Sequence, residues 1–219
     1  MRTSFAPLKG NRTGFCFVWH FYLQLNDILG RIDYYGWENI PKENCIVVAN
    51  HVSFYDPPAM IAYFLKDISA VARSTLSKNK LMDAYFESMN AILINRDKGG
   101  DLGAIKESLR RIKAGGNLLI FPEGTRSPDG NIQEGKAGVS AIALRANVKI
   151  LPVRSFGFFD IMPKTGRINA GTHISLVAGK AVDIKDLDPS KADPNRLQTI
   201  ADKIMQHISD IKEPWQYQV

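Results

Sequence analysis

From about Asn44 to Ile184 the chain alternates short aliphatic, β-branched runs with stretches of helical periodicity. No other feature restricts its fold as much. Residues 45–49, 68–72, 91–94, 118–121, 149–153 and 173–177 read as strands. Pro57-Pro58 can open a helix at 57–62, because proline is tolerated in a first turn. Residues 76–88 are mixed and read as helical. Leu102, Ile105, Leu109 and Ile112 recur at helical spacing, and Gly115-Gly116 supplies a stop. A helix at 139–146 is followed by Asn147, which can take a left-handed cap. Asp193-Pro194 reads as an N-cap and first-position proline, opening a closing helix with Leu197, Ile200, Ile204, Ile208 and Ile211 on one face and Pro214 at its end. Strands separated by helical stretches of about 10 to 15 residues imply an α/β fold, a largely parallel mixed sheet flanked by helices.

The segment ahead of this body has a different character. Residues 15–23 are strongly apolar and aromatic, but no small-residue cleavage site follows them; Gln24, Asn26 and Asp27 come next. The run is shorter than the roughly 18 to 20 residues needed to span a bilayer. Trp19, Tyr22 and Arg12 suit a helix lying in the membrane interface; the alternative is a helix packed onto the domain core. The chain accordingly divides into a helical membrane-association element at 1–40 and an α/β domain at 41–219. The charge balance, 28 Lys and Arg against 22 Asp and Glu, suits an anionic membrane surface, a phosphate-bearing substrate or a nucleic acid, the plain alternative being a slightly basic soluble surface. It lacks the dense basic cluster with interleaved aromatics that nucleic-acid binding requires. Cys16 and Cys45 form neither a disulfide framework nor a zinc site, which fits a reduced, cytoplasm-facing compartment.

In parallel sheets ligands gather beyond the C-terminal ends of strands. The polar oddities of this chain fall at those ends. Asn50-His51 follows the first run, and Asp56 comes five residues after His51. If the chain turns tightly, the carboxylate can hold one ring nitrogen and leave the other free as a general base. The alternative is a structural histidine after a strand. Asn95-Arg96 follows the third run, where Arg96 is either a phosphate ligand or a solvated side chain. The fourth run leads into Phe121-Pro122-Glu123-Gly124-Thr125-Arg126-Ser127. Gly124 permits close backbone approach to a ligand, and Thr125, Arg126 and Ser127 offer groups suited to phosphate. Glu123 can accept from a substrate hydroxyl or hold Arg126; the plain alternative is a surface turn. Pro152 inside an apolar run marks an edge or a bulge. There is no Gly-x-Ser-x-Gly elbow, no Walker loop and no dinucleotide fingerprint. Four scattered histidines argue against a metal site.

In order, these blocks resemble the 1-acylglycerol-3-phosphate acyltransferase family of the glycerolipid acyltransferases. Its Asn-His-x-x-x-x-Asp block is met by Asn50, His51 and Asp56, its apolar-strand-Arg block by Ile92, Ile94 and Arg96, and its Phe-Pro-Glu-Gly-Thr-Arg-Ser block by 121–127 letter for letter. Ile150, Leu151 and Pro152 meet its last block, and Lys136 and Gly138 match a Lys and Gly that follow the third. Departures are Asn90 in place of Gly, Asn95 where Asp is common, and Arg73-Ser74-Thr75-Leu76 where a Lys is common. The resemblance implies that His51 is the base and Asp56 its orienting partner. It implies an acceptor-phosphate site of Arg96, Glu123, Gly124, Thr125, Arg126 and Lys136. The reaction implied is transfer of a fatty acyl group from acyl-CoA or acyl-carrier protein to the free hydroxyl of lysophosphatidic acid, with no metal or bound cofactor, at the cytoplasmic face of a membrane. Other acceptors, such as another lysolipid or glycerol 3-phosphate, and a non-catalytic phospholipid-binding protein are the alternatives.

Overall fold

The computed structural model describes residues 32–64, 68–77, 79–94, 102–163 and 173–214, together with Gly166, Asn169 and Gly171. Among the described residues, seven strands form one sheet: β1 (Ile32–Tyr35), β2 (Cys45–Ala49), β3 (Ile68–Arg73), β4 (Ile92–Ile94), β5 (Asn117–Ile120), β6 (Lys149–Phe156) and β7 (Ile174–Ala178). Their spatial order is β1-β7-β6-β2-β5-β3-β4. All neighbours run parallel except β6 and β7, so β1 and β7 oppose the other five. The expected mixed, mostly parallel sheet is therefore present.

Seven α-helices flank it among the described residues: α1 (Asp56–Phe64), α2 (Lys80–Ser88), α3 (Leu102–Lys113), α4 (Gly138–Ala146), α5 (Phe158–Ile161), α6 (Ile184–Leu187) and α7 (Arg196–Ser209). Successive strand side chains point to opposite faces. Cys45, Val47 and Ala49 of β2 accordingly enter one core with α1 and α5, while Ile46 and Val48 enter a second core with α4 and α7. Burial on both faces is why the central strands read as unbroken apolar runs.

Several expectations shift. Residues 32–40 are not part of a helical appendage: β1 pairs with β7, and a short 3-10 turn, Trp37–Asn39, follows it. The aromatic run at 15–23 lies outside the described residues. Among the described residues, no helix is long and apolar enough to cross a membrane. The helix expected from residue 76 starts at Lys80, because the Asn79 side chain accepts the Met82 N–H and caps it there. α3 buries Ala104, Ser108 and Ile112, leaving Leu102 exposed. α7 starts at Arg196, two residues beyond Pro194. Asp193 spends its carboxylate on the Asn195 N–H and the Thr199 hydroxyl, closing a turn ahead of the helix. The helix ends at Ser209, before Pro214.

Other expectations hold. Asn147 caps α4 in the left-handed region, φ 50° and ψ 48°, and its N–H reaches the Ala143 carbonyl. Gly115, φ 89°, ends α3 with its own N–H on Ile112 and that of Gly116 on Arg111. Pro152 sits within an interior strand, beside a bulge. Val153 pairs with Ala178 and Ile150 with Val182, so the returning chain carries one extra residue beside it.

Candidate active site

The site is assembled where the parallel strands end. Asn50, the first residue past β2, exchanges hydrogen bonds with Ser155 of β6: its Oδ1 accepts the Ser155 N–H at 2.8 Å and its Nδ2 donates to the carbonyl at 3.3 Å. This fixes the chain as it leaves the sheet. A tight turn follows, and Asp56 at the start of α1 reaches back across it. Asp56 Oδ2 accepts the N–H groups of Val52 and Ser53, both at 2.8 Å, and lies 2.9 Å from His51 Nδ1. One oxygen thus closes the turn and orients the ring. With Nδ1 donating to a carboxylate, neutral His51 leaves Nε2 as its acceptor. The Asp56 side chain is fully buried, while that of His51 is 18% exposed.

The loop after β5 is folded against this turn. Gly124 adopts φ 71°, a left-handed conformation that favours glycine, and its N–H closes on the Phe121 carbonyl at 3.0 Å. The Phe121 ring stacks on His51, centroids 4.2 Å apart. The Ser127 N–H donates to the His51 carbonyl at 2.7 Å. The Lys136 N–H holds the Pro122 carbonyl at 3.0 Å.

A cavity of 560 Å³ opens over these elements. Its polar lining comprises His51, Arg73, Tyr85, Thr125, Arg126 and Lys136. Its apolar lining includes Ile94, Ile105, Ile120, Val139 and Ile142. Such a cavity suits a molecule with an anionic group joined to a hydrocarbon chain. Arg126 lies over the Phe54 ring, 5.7 Å from its centroid, and Phe54 in turn stacks on Tyr85 at 5.2 Å. Burial raises the Tyr85 pKa above its ordinary value, the Asp56 charge adds to this and Arg126 opposes it, so the phenol stays a proton donor. Among the described residues, no group of three His, Cys, Asp or Glu is placed to hold a metal ion.

The structure therefore brings His51, Gly124, Thr125, Arg126 and Lys136 to one cavity, with Asp56 directly behind the imidazole. Arg96 lies outside the described residues, although Ile94, the last residue of β4, lines the cavity. Glu123 is a correction. It is 1% exposed and turned away from the cavity, and its Oε1 accepts the His51 backbone N–H at 3.0 Å. It does not line the cavity, and the turn at Gly124, φ 71°, separates it from Thr125 and Arg126, which do. Burial pushes its pKa up to about 7; the His51 and Gln133 backbone N–H groups oppose the rise and the Asp56 charge adds to it. Ser127 is also buried, its hydroxyl given to Asp129 at 2.9 Å and not to the cavity.

Two polar cavity residues, Arg73 and Tyr85, were not among the site residues expected from the sequence. Arg73 ends β3, and its buried Nε has no hydrogen-bond partner among the described residues. Its signal was position, a cation closing an apolar strand beside the others. Tyr85, on α2, carried no comparable signal.

A family model described as Acyltransferase matches residues 31–155. The chain belongs to the acyltransferase family. The matched span holds β1 through most of β6, and with them every described cavity residue. Among curated relatives, the acyltransferase is 27% identical over 179 residues to a 1-acyl-sn-glycerol-3-phosphate acyltransferase of Borreliella burgdorferi, spanning 81% of this chain and 71% of that one. It is 28% identical to one of Pseudomonas aeruginosa over 95% of this chain and 84% of the relative. Its fold is that of the 1-acyl-sn-glycerophosphate (LPA) acyltransferase PlsC from Thermotoga maritima, with a TM-score of 0.66, 24% identity, and coverage of 94% of this chain and 86% of that one.

Proposed function

We propose that this acyltransferase moves a fatty acyl group from a thioester, acyl-CoA or acyl-carrier protein, to the free hydroxyl of 1-acylglycerol 3-phosphate, giving phosphatidic acid. The observation that carries the reading is a single cavity holding an oriented imidazole, a set of cations and an apolar end. The names of the curated relatives favour this acceptor over other lysolipids.

The mechanism follows from the groups present. The acceptor phosphate is held by Arg73, Arg126 and Lys136 with the Thr125 hydroxyl, and the sequence motif assigns Arg96 to the same role. The acyl chain lies along the apolar lining. His51 Nε2 takes the proton of the acceptor hydroxyl as its oxygen attacks the thioester carbonyl carbon. Asp56 stabilises the imidazolium that forms and keeps the ring in register. The tetrahedral intermediate collapses, the carbon–sulfur bond breaks, and the imidazolium returns the proton to the departing thiolate. A thioester is already activated, so this route passes through no acyl-enzyme and no cofactor. Because both substrates carry long acyl chains, the enzyme works at a membrane surface, on its cytoplasmic side.

The test is thiol release from a long-chain acyl-CoA with and without lysophosphatidic acid, using wild type and His51→Ala. Acceptor-dependent release that disappears in the variant is the expected result. Release without acceptor would indicate a thioesterase. No release with acyl-CoA or acyl-carrier protein across a panel of lysolipids and glycerol 3-phosphate would leave a phospholipid-binding protein.

A further inference from the structure

The loop at 121–127 grips the backbone of the catalytic histidine at both polar atoms. The Ser127 N–H holds the His51 carbonyl at 2.7 Å, and Glu123 Oε1 receives the His51 N–H at 3.0 Å. The next two N–H groups of the chain, on Val52 and Ser53, go to Asp56. Three consecutive backbone donors are thus taken by two buried carboxylates, each exposed by 1% or less. Glu123 Oε2 is buried as well, and the Gln133 backbone N–H also faces the carboxyl. An acidic side chain so placed cannot reach an acceptor phosphate. A phosphate ligand would also not be chosen negative. Gly124, Thr125 and Arg126, the next three residues of the same loop, do line the cavity.

We infer that Glu123 is a positioning residue, not an acceptor ligand: its carboxyl fixes the His51 backbone to the loop that carries Thr125 and Arg126, so that the base and the anion site form one rigid unit. The inference rests on the acyl-transfer reading for its kinetic test. Setting a general base within a fraction of an ångström of the reacting hydroxyl is worth about 100-fold in rate. Backbone placement matters here because the ring is held by Asp56 at one atom only and by the Phe121 face. The raised pKa of about 7 agrees with this role, since the protonated carboxyl still offers Oε1 to the His51 N–H.

The experiment compares Glu123→Gln with Glu123→Met. Gln keeps an oxygen acceptor for the His51 N–H; Met fills the same volume without one. Steady-state kinetics would vary lysophosphatidic acid against saturating acyl-CoA, with thermal melts confirming folded variants. Glu123→Met is expected to lower kcat by about 10- to 100-fold while the acceptor KM stays within about threefold, as for a misplaced base. Glu123→Gln is expected to recover most of that loss. Equal losses in both variants, a rise in acceptor KM in either, or full activity in Glu123→Met would overturn the inference. A second readout, needing no turnover, is hydrogen exchange of the His51 amide by NMR. It should be protected in wild type and Glu123→Gln and fast in Glu123→Met. Protection in all three would overturn the clamp even if the enzyme proved to use another acceptor. If Met prevents folding, exchange in Glu123→Gln decides: loss of protection there also rejects the inference.

Discussion

Among the described residues there are two His–Asp pairs of nearly equal length and very different character. His51 Nδ1 and Asp56 Oδ2 are 2.9 Å apart, with side chains 18% and 0% exposed. His173 Nε2 and Asp33 Oδ2 are 3.0 Å apart, with side chains 55% and 36% exposed. By distance alone the pairs are interchangeable. What separates them is setting. Asp56 is fixed by two further backbone donors, while His51 is stacked on Phe121 and opens onto a cavity lined by cations. The pair at Asp33 joins β1 and β7 at the far edge of the sheet. A histidine can act as a base when its partner is held and its free nitrogen faces a substrate cavity; of these two, His51 lines the cavity and His173 does not.

The largest expected break in this contrast is His51→Ala, which should cost at least about 10³-fold in kcat, the upper part of what a general base supplies, measured as acceptor-dependent thiol release. Asp56→Asn should follow at about 10²- to 10³-fold, because the ring loses the charge that stabilises the imidazolium while the turn keeps an oxygen acceptor. Arg126→Ala should act on binding, raising the acceptor KM by about tenfold or more, the worth of a hydrogen bond to a charged group, with a smaller effect on the thioester KM. Arg73→Ala should do the same, and an unchanged acceptor KM in both would remove the anion site from this cavity. His173→Ala and Asp33→Asn should leave kcat unchanged and shift stability by less than about 1 kcal/mol, as expected of an exposed pair. A large kinetic loss in either would erase the distinction between the two pairs.

A pH measurement sharpens the same comparison. Glu123 ionises at about 7 in the folded chain against an ordinary 4.5. Between those values the unfolded chain has already released a proton that the folded chain keeps. The unfolded state then binds fewer protons, so stability from this group is full below that window and falls as pH rises through it. Thermal melts should show Tm decreasing across the window, with a shallower slope in Glu123→Gln. An equal slope in both would show that Glu123 is not the group responsible.

Much of the site was legible because it is local. His51 and Asp56 are five residues apart and meet through one turn, so spacing and residue type were enough to suggest the pair. Asn147, Gly115 and the bulge at Pro152 were legible for a similar reason, since each residue type has few backbone options. Glu123 was misread because its neighbours in sequence are cavity residues, and letters do not show which way a turn points each side chain. Arg73 and Tyr85 were missed because their closeness to His51 depends on β3 lying next but one to β2 in the sheet. β1 was assigned to a helical appendage because Ile32–Tyr35 has only one buried residue and no apolar run. Its strand identity comes from β7, about 140 residues away.

By itself, then, the sequence determined the α/β class, the histidine with its carboxylate, and the loop that carries Thr125 and Arg126. These depend on hydrophobic periodicity and on contacts closed within a few residues, where composition and spacing leave few alternatives. The tertiary structure decided which cations share a cavity, that Glu123 serves the His51 backbone, and that one His–Asp pair is buried at the site while the other is exposed at an edge. Those outcomes depend on strand order and burial, which arise only when distant segments pack and exclude water together.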